Sequence, residues 1–347
     1  MLRWEYIFYH IYQLKLIIMQ NVIKWGMIGC GDVTEVKSGP AFNKVPNSSL
    51  VAVMSRNAAK AEDYAKRHQV PKWYSNTQEL IDDPEINAIY IATPPLSHQE
   101  LTIAALKAGK SVYVEKPMAV NADAGKKMVE AALQCNGKLT IAHYRREQPV
   151  FKKIKALIDE QVIGTVKFVK LDYLQPSLTP KELADPKIQW RLDPAIAGGG
   201  LFHDIAPHQL DLMLYFFGPI EKALGISGNQ GGLYQADDLV TGVLKFKNNV
   251  FFNGTWCFDM PAATQKDLCI ITGAKGTISF PVFGAAKIEL TVNGKTEVFD
   301  FDALQHVQQP MIGATVRYFL NEIANPCTGE DGLTVMEIID RFAKTGN

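Results

Sequence analysis

Residues 23–34 read Ile23-Lys24-Trp25-Gly26-Met27-Ile28-Gly29-Cys30-Gly31-Asp32-Val33-Thr34, and this stretch decides the fold. A largely apolar run of strand type passes without a break into Gly29-x-Gly31, after which the pattern turns helical. In a dinucleotide-binding fold the first glycine permits the tight turn, and the second lets the backbone approach a pyrophosphate. The helix start at Asp32, Val33 and Thr34 then offers free N–H groups to the phosphates. Thr34 stands where a third glycine would be, which predicts a helix set slightly further from the strand. A lone G-x-G also fits an ordinary strand–turn–helix. Its place after the first strand, with a second strand about twenty residues on, selects the dinucleotide reading.

Outward from this stretch the rhythm repeats. Leu50–Met54, Ala88–Ala92, Ser111–Val114 and Leu139–Ala142 are short apolar runs, and helical patterns cover Ala58–Arg67 and Asp123–Gln134. Buried strands alternating with helices predict an α/β fold with a doubly wound parallel sheet. Near Arg145 the pattern changes. A helix over Pro149–Gln161 leads to a long strand, Val166–Leu174, and a helix near Gln209–Phe217 follows. Then come half-polar strands at 223–227, 239–246, 250–256, 268–272, 277–280 and 287–292, and two closing helices over 310–324 and 333–344. This predicts a second, α+β unit with a largely antiparallel sheet. The expected division is an extension at 1–21, a Rossmann NAD(P)-binding domain at 22–143, and an α+β domain at 144–347.

A length of 347 residues allows about two domains. Lys+Arg and Asp+Glu are both 36, so the net charge is zero, which disfavours charge-driven binding to nucleic acid or anionic membranes. Cys30, Cys135, Cys257, Cys269 and Cys327 are scattered without C-x-x-C spacing, so no disulfide framework and no metal site is expected. A reducing cytoplasm fits best. Met1–Gln20 is aromatic and apolar but is interrupted by Glu5, His10, Gln13 and Lys15. Its apolar runs fall short of the ~20 residues that span a bilayer, and no small-residue cleavage site precedes Met19. It reads as a loosely packed extension or a start codon placed too early, against an interfacial or partner-binding helix.

Four further segments carry chemistry. After the second strand stand Ser55-Arg56, where an acidic residue would bind a ribose 2′-hydroxyl; serine and arginine favour a 2′-phosphate, hence NADP, with NAD the other possibility. The third strand is followed by Thr93-Pro94-Pro95 and His98, a stiffened loop at the ligand-binding edge of a parallel sheet. The fourth ends in Glu115-Lys116-Pro117, which puts an ammonium group where a substrate hydroxyl or carbonyl would lie. Finally, Gly198-Gly199-Gly200 leads into His203, Asp204, Pro207 and His208. Pro207 places a helix start close by, with Asp204 at or before its cap. His208 is expected to titrate near neutrality as general acid/base, and Asp204 to orient it or the substrate.

In this order the segments resemble the glucose–fructose oxidoreductase / inositol dehydrogenase / rhizopine-catabolism family of NAD(P)-dependent oxidoreductases, over roughly residues 22–344. The segment His143-Tyr144-Arg145-Arg146 adds to the resemblance. It implies a catalytic set of Lys116, Asp204 and His208, and cofactor contacts from Gly29, Gly31, Asp32, Val33, Thr34, Ser55, Arg56, Thr93, Pro94, His98, Glu115 and Lys116. Tyr144, Arg145, Trp190 and Arg191 join the catalytic set as implied substrate contacts. It further implies a cis peptide before Pro117, and at 144–347 a substrate-binding and oligomerisation domain whose large, mostly antiparallel open sheet pairs subunits as a homodimer or homotetramer. The expected activity is hydride transfer between NADP(H) or NAD(H) and a secondary alcohol or carbonyl of a sugar, cyclitol or related polyol. Two alternatives stand beside it: a glycoside-cleaving enzyme that retains its cofactor, and a non-catalytic NAD(P)-binding sensor.

Overall fold

The apolar runs read between residues 23 and 142 become strands of one parallel sheet. The structure, a computed structural model, describes residues 22–343, so the extension expected at 1–21 lies outside the described residues. In chain order the elements are β1 (Ile23–Ile28), α1 (Asp32–Val36), β2 (Ser48–Met54), α2 (Ala58–His68), β3 (Lys72–Tyr74) and α3 (Thr77–Asp82). They continue as β4 (Ala88–Ile91), α4 (His98–Lys107), β5 (Ser111–Val114), α5 (Ala122–Gln134) and β6 (Leu139–Ile141). The strand order is β3-β2-β1-β4-β5-β6, with every pair parallel. Because β1 pairs with both β2 and β4, the order reverses there, and the crevice beyond the carboxyl ends of these strands is where such sheets bind ligands. The loops after β1, β4 and β5 meet at that edge.

The turn after β1 closes on itself. Thr34 is fully buried, and its hydroxyl donates to the Gly31 carbonyl at 2.7 Å. Tyr64 of α2 donates to the Thr34 carbonyl, also at 2.7 Å. Helix α1 is only five residues long and gives way to a 3₁₀ turn over Gly39–Lys44.

The second unit comprises α6 (Pro149–Asp159), β7 (Val166–Pro176), α7 (Pro180–Leu183), α8 (Pro186–Leu192), α9 (Pro194–Ala197) and α10 (Gly200–Phe217). Strands β8 (Ile220–Gly228), β9 (Leu239–Phe246), β10 (Phe251–Met260), β11 (Lys266–Gly273), β12 (Gly276–Phe280), β13 (Lys287–Val292) and β14 (Lys295–Asp300) follow. They form one eight-stranded sheet in the order β14-β13-β12-β11-β7-β10-β9-β8, antiparallel except at β7/β10. Helices α11 (Gln309–Phe319) and α12 (Gly329–Phe342) close the described chain. They reach back to the first sheet: Phe319 packs 5.5 Å from Trp25, and the Ile141 N–H donates to the Cys327 carbonyl.

One expectation is corrected. The helix placed near Gln209 begins at Gly200, so Pro207 lies in its middle and Asp204 in its second turn rather than at a cap. Pro207 has no N–H for the carbonyl of His203, so the helix runs through it without that hydrogen bond.

Candidate active site

Lys116 leaves the carboxyl end of β5 and meets the middle of α10. Its Nζ donates to Asp204 Oδ1 at 2.7 Å and to the Asp204 carbonyl at 2.8 Å. The Lys116–Pro117 peptide is cis. From α8, Arg191 Nε lies 3.3 Å from Asp204 Oδ2, so the carboxylate sits between two cations. Burial alone would raise the Asp204 pKa, but the Lys116 ammonium and the Arg191 guanidinium hold it below the ordinary carboxylate value. Arg191 also stacks 4.4 Å from the half-buried Trp190 ring and donates to the Lys187 carbonyl.

His208 follows Asp204 by four residues, which puts both on one face of the helix. It is buried, its Nδ1 has no hydrogen-bond partner, and the rings of Tyr144 and Phe283 stand edge-on to it at 5.1 and 5.5 Å. Burial, with the charges of Lys116 and Arg145, pushes its pKa well below 6.5. The expectation that it titrates near neutrality is therefore corrected: the imidazole is neutral at pH 7, with one nitrogen free to accept a proton.

His143, at the end of β6, is also buried, and neither ring nitrogen has a hydrogen-bond partner. It was quoted in the sequence only as part of a segment. Beneath it, Arg146 forms a forked pair with Asp211, Nε to the two oxygens at 2.9 and 3.0 Å, and reaches Asp331 at 3.2 Å. Burial still raises the Asp211 pKa to about 6 despite the arginine. Asp211 is not singled out in the sequence, and Arg146 stands there only within the same segment as His143, because nothing in a sequence pairs charges 65 residues apart.

The glycine turn has the shape a pyrophosphate needs. Gly29 has φ +108°, and a Cβ there would lie 2.6 Å from the Ala92 carbonyl oxygen, so it must be glycine for the ends of β1 and β4 to approach. A Cβ on Gly31 would meet nothing within 4 Å. The space above that residue is open. Val33 is half-buried against the core, while Asp32 is exposed and pairs with Lys187 of α8 at 3.3 Å. Helix α8 thus touches the glycine turn through Lys187 and Asp204 through Arg191, one helical turn apart.

Beyond β2, Ser55 is half-buried and Arg56 exposed, and Asn57 caps α2 by accepting the Lys60 N–H at 3.1 Å. After β4, Thr93 is half-buried and accepts from Ser97 at 2.7 Å, and Pro94 is exposed.

Three residues expected to touch the cofactor are turned into the framework instead. Thr34 is spent on its own turn. His98 is fully buried, with Nδ1 3.0 Å from the Pro117 carbonyl and Nε2 2.8 Å from the Thr93 carbonyl, so it clips the loop after β4 to the loop after β5. Glu115 accepts from Tyr90 at 2.5 Å and from Gln308 at 2.6 Å inside the core. At a strand's carboxyl end, successive side chains alternate between core and cleft, and Glu115 takes the core side while Lys116 takes the cleft.

Comparison with known proteins agrees with this geometry. Residues 23–143 match the family described as an oxidoreductase family with an NAD-binding Rossmann fold, and residues 151–279 match the GFO/IDH/MocA C-terminal domain. An oxidoreductase of Formosa agariphila is 47% identical over 327 residues, covering 94% of this chain and 100% of its own. A 1,5-anhydro-D-fructose reductase of Ensifer adhaerens is 30% identical over 233 residues, covering 65% of this chain and 67% of its own. Among solved structures, a levoglucosan dehydrogenase in complex with NADH and levoglucosan superposes with a TM-score of 0.83 at 21% identity, covering 93% of this chain and 96% of that one.

Proposed function

This chain belongs to the GFO/IDH/MocA oxidoreductase family, and from that premise we propose that it transfers a hydride between a nicotinamide cofactor, NADP(H) in preference to NAD(H), and a secondary alcohol or carbonyl of a sugar, cyclitol or related polyol. The observation that carries the reading is the Lys116 ammonium, held 2.7 Å from Asp204 at the ligand-binding edge of the parallel sheet, with the neutral His208 one helical turn further along α10.

The residues at that edge suit the cofactor. The open face of Gly31 and the left-handed Gly29 leave room for a pyrophosphate, with Asp32 and Val33 at the helix start, and Ser55 and Arg56 would hold the adenosine ribose. Thr93 and Pro94 line the same crevice. When bound, the nicotinamide supplies or accepts the hydride. Lys116 stabilises the negative charge that grows on the substrate oxygen. His208 takes the hydroxyl proton in the oxidative direction and returns it in the reductive one. Asp204 holds the ammonium group in place, and Arg191 fixes Asp204 from the other side. Tyr144 and Trp190 supply ring faces for a sugar.

A titration with NADPH and NADH tests the cofactor assignment. Wild type should bind NADPH more tightly, and Arg56→Ala should lose about 10-fold or more in NADPH affinity with little change for NADH. Equal binding of the two in wild type, or indifference to the substitution, removes the NADP preference and leaves family membership untouched.

The open face of the second sheet supports a homo-oligomer. Phe168, Leu224, Ile226, Val243 and Phe251 are exposed there on neighbouring strands, and Ile226 is 76% accessible. Exposed apolar side chains grouped on one sheet face mark a candidate protein–protein surface. Ile226→Glu combined with Phe251→Glu should convert a dimer or tetramer to monomer in light scattering. A wild-type protein that is already monomeric at micromolar concentration would refute the assignment. All five cysteines are free, in keeping with the cytoplasmic location we assign, and no helix among the described residues is long and apolar enough to cross a membrane.

A further inference from the structure

Two adjacent arginines follow β6, and only one is met by acid. Arg146 is paired with Asp211 and Asp331, the usual arrangement for a buried structural guanidinium. No carboxylate pairs with Arg145 among the described residues. Its Nη1 donates to the Val282 carbonyl at 2.6 Å, its guanidinium carbon lies 4.3 Å from the centre of the Phe283 ring, and its Nε is buried without a hydrogen-bond partner. Asp267 is the acid whose charge it feels, but that carboxylate is occupied by the N–H groups of Val282 and Phe283 at 3.1 and 2.6 Å. A guanidinium cannot give up its proton to escape the cost of burial, so a site that keeps one unpaired awaits an anion.

The surroundings say which kind. Arg145 borders a cavity of about 520 Å³ with Tyr144, Phe151, Phe283 and Phe301 among its walls. Tyr144 and Phe283 are the same rings that stand against His208, so cavity and proton-transfer site share a wall. Ring faces suit the C–H faces of a sugar, and the planar fork of arginine matches a carboxylate. The one acid on the cavity wall, Asp302, is exposed at its rim, where water screens it. A single guanidinium balances one carboxylate, whereas a phosphate dianion calls for more donors than this wall offers.

We propose that the substrate is an acidic sugar, a uronate or aldonate, whose carboxylate binds Arg145 while the reacting hydroxyl or carbonyl lies at Lys116 and His208. This rests on the oxidoreductase reading above and adds the charge of the substrate to it. Arg145 then sets specificity, and Lys116 and His208 carry the chemistry.

The test is equilibrium binding to the full-length enzyme saturated with NAD(P)H, read from cofactor fluorescence. The probes are glucuronate, galacturonate and gluconate beside glucose, galactose and glucose 6-phosphate. In wild type at least one of the sugar acids should bind about 10-fold or more tighter than its neutral counterpart, and raised salt should shrink the difference. Arg145→Gln should erase the discrimination while NAD(P)H affinity is retained. Arg145→Lys keeps the charge without the fork and should fall between the two. If Arg145→Gln fails to fold, the wild-type comparison of acid with neutral sugar decides by itself. Acid and neutral sugars bound alike, no binding of any sugar acid, tighter binding of the phosphate, or discrimination that survives in Arg145→Gln would each overturn the proposal while NAD(P)H binding leaves the oxidoreductase reading standing. A protein that binds neither nicotinamide cofactor would remove both.

Discussion

Lys116→Met should leave NAD(P)H binding close to wild type and lower turnover by about 10²–10⁴-fold. Methionine keeps most of the side chain's length and removes only the charged end, so the change isolates the ammonium. In the wild-type protein that group is held by two oxygens of Asp204, one from the side chain and one from the helix backbone, and is only 12% exposed. An ammonium so fixed needs no reorganisation when charge develops on a substrate oxygen. His208→Phe should fall by a similar factor, because the ring fills the same space between Tyr144 and Phe283 without an acceptor nitrogen. The double variant should be little worse than either single one, since groups that act as a unit do not contribute additively. Steady-state rates with cofactor affinity measured in parallel decide the matter. Near-normal turnover in both single variants would exclude this division of roles.

The residues whose roles depend on chain direction were readable before the fold was known, and those whose roles depend on side-chain direction were not. Continuous apolar runs such as Ala88–Ile91 identify buried parallel strands because both faces are covered, and the Gly29-x-Gly31 turn follows from its place after the first of them. Strand β3 escaped because Lys72–Tyr74 is three residues long and none of them is buried, and β14 because five of its six residues are exposed. For β14 a turn signal was present: Asn293 and Gly294 both take positive φ, as a two-residue hairpin requires. The short helices α7, α8 and α9 had signals as well. Each begins with proline behind a capping residue, Thr179, Asp185 or Asp193, and reads as loop only if helices are sought by their apolar face. Glu115 and Lys116 are neighbours with opposite fates, and Arg145 and Arg146 are too. Periodicity predicts that such pairs diverge. Only the packed structure says that the inner partners are Tyr90 and Gln308 for the glutamate and Asp211 for the second arginine.

Four of the buried histidines should make stability fall well before ordinary acid denaturation. His98, His143, His203 and His208 are all buried, and burial lowers the pKa of each: to about 4 for His98 and His203, and well below 6.5 for the other two. At His98 burial prevails even though both ring nitrogens face carbonyl oxygens, an arrangement that would favour the charged ring. Once the chain unfolds, each imidazole takes a proton below about pH 6.5. The unfolded state therefore binds more protons, and stability declines as pH drops from 6.5 toward 4. Acids whose pKa is raised by burial act the other way: Asp211 is raised to about 6, and Glu115, Asp267 and Asp340 are raised as well, so the folded state also holds protons of its own as the pH falls. The four imidazoles charge on unfolding from about pH 6.5, ahead of Asp211 in the folded chain, so the net effect is a loss of stability as the pH falls. Urea midpoints measured at half-unit steps between pH 7 and 4.5 should drop steadily from about pH 6.5. His98→Asn should be less stable throughout, because it loses the clip between two loops. Its pH slope should nonetheless be shallower by about one proton, since one group that charges on unfolding is gone. That shallower slope separates a buried neutral imidazole from a merely structural contact. A His98→Asn slope equal to that of wild type would mean that the His98 ring is already charged in the folded protein, and the account of buried neutral imidazoles would fall with it.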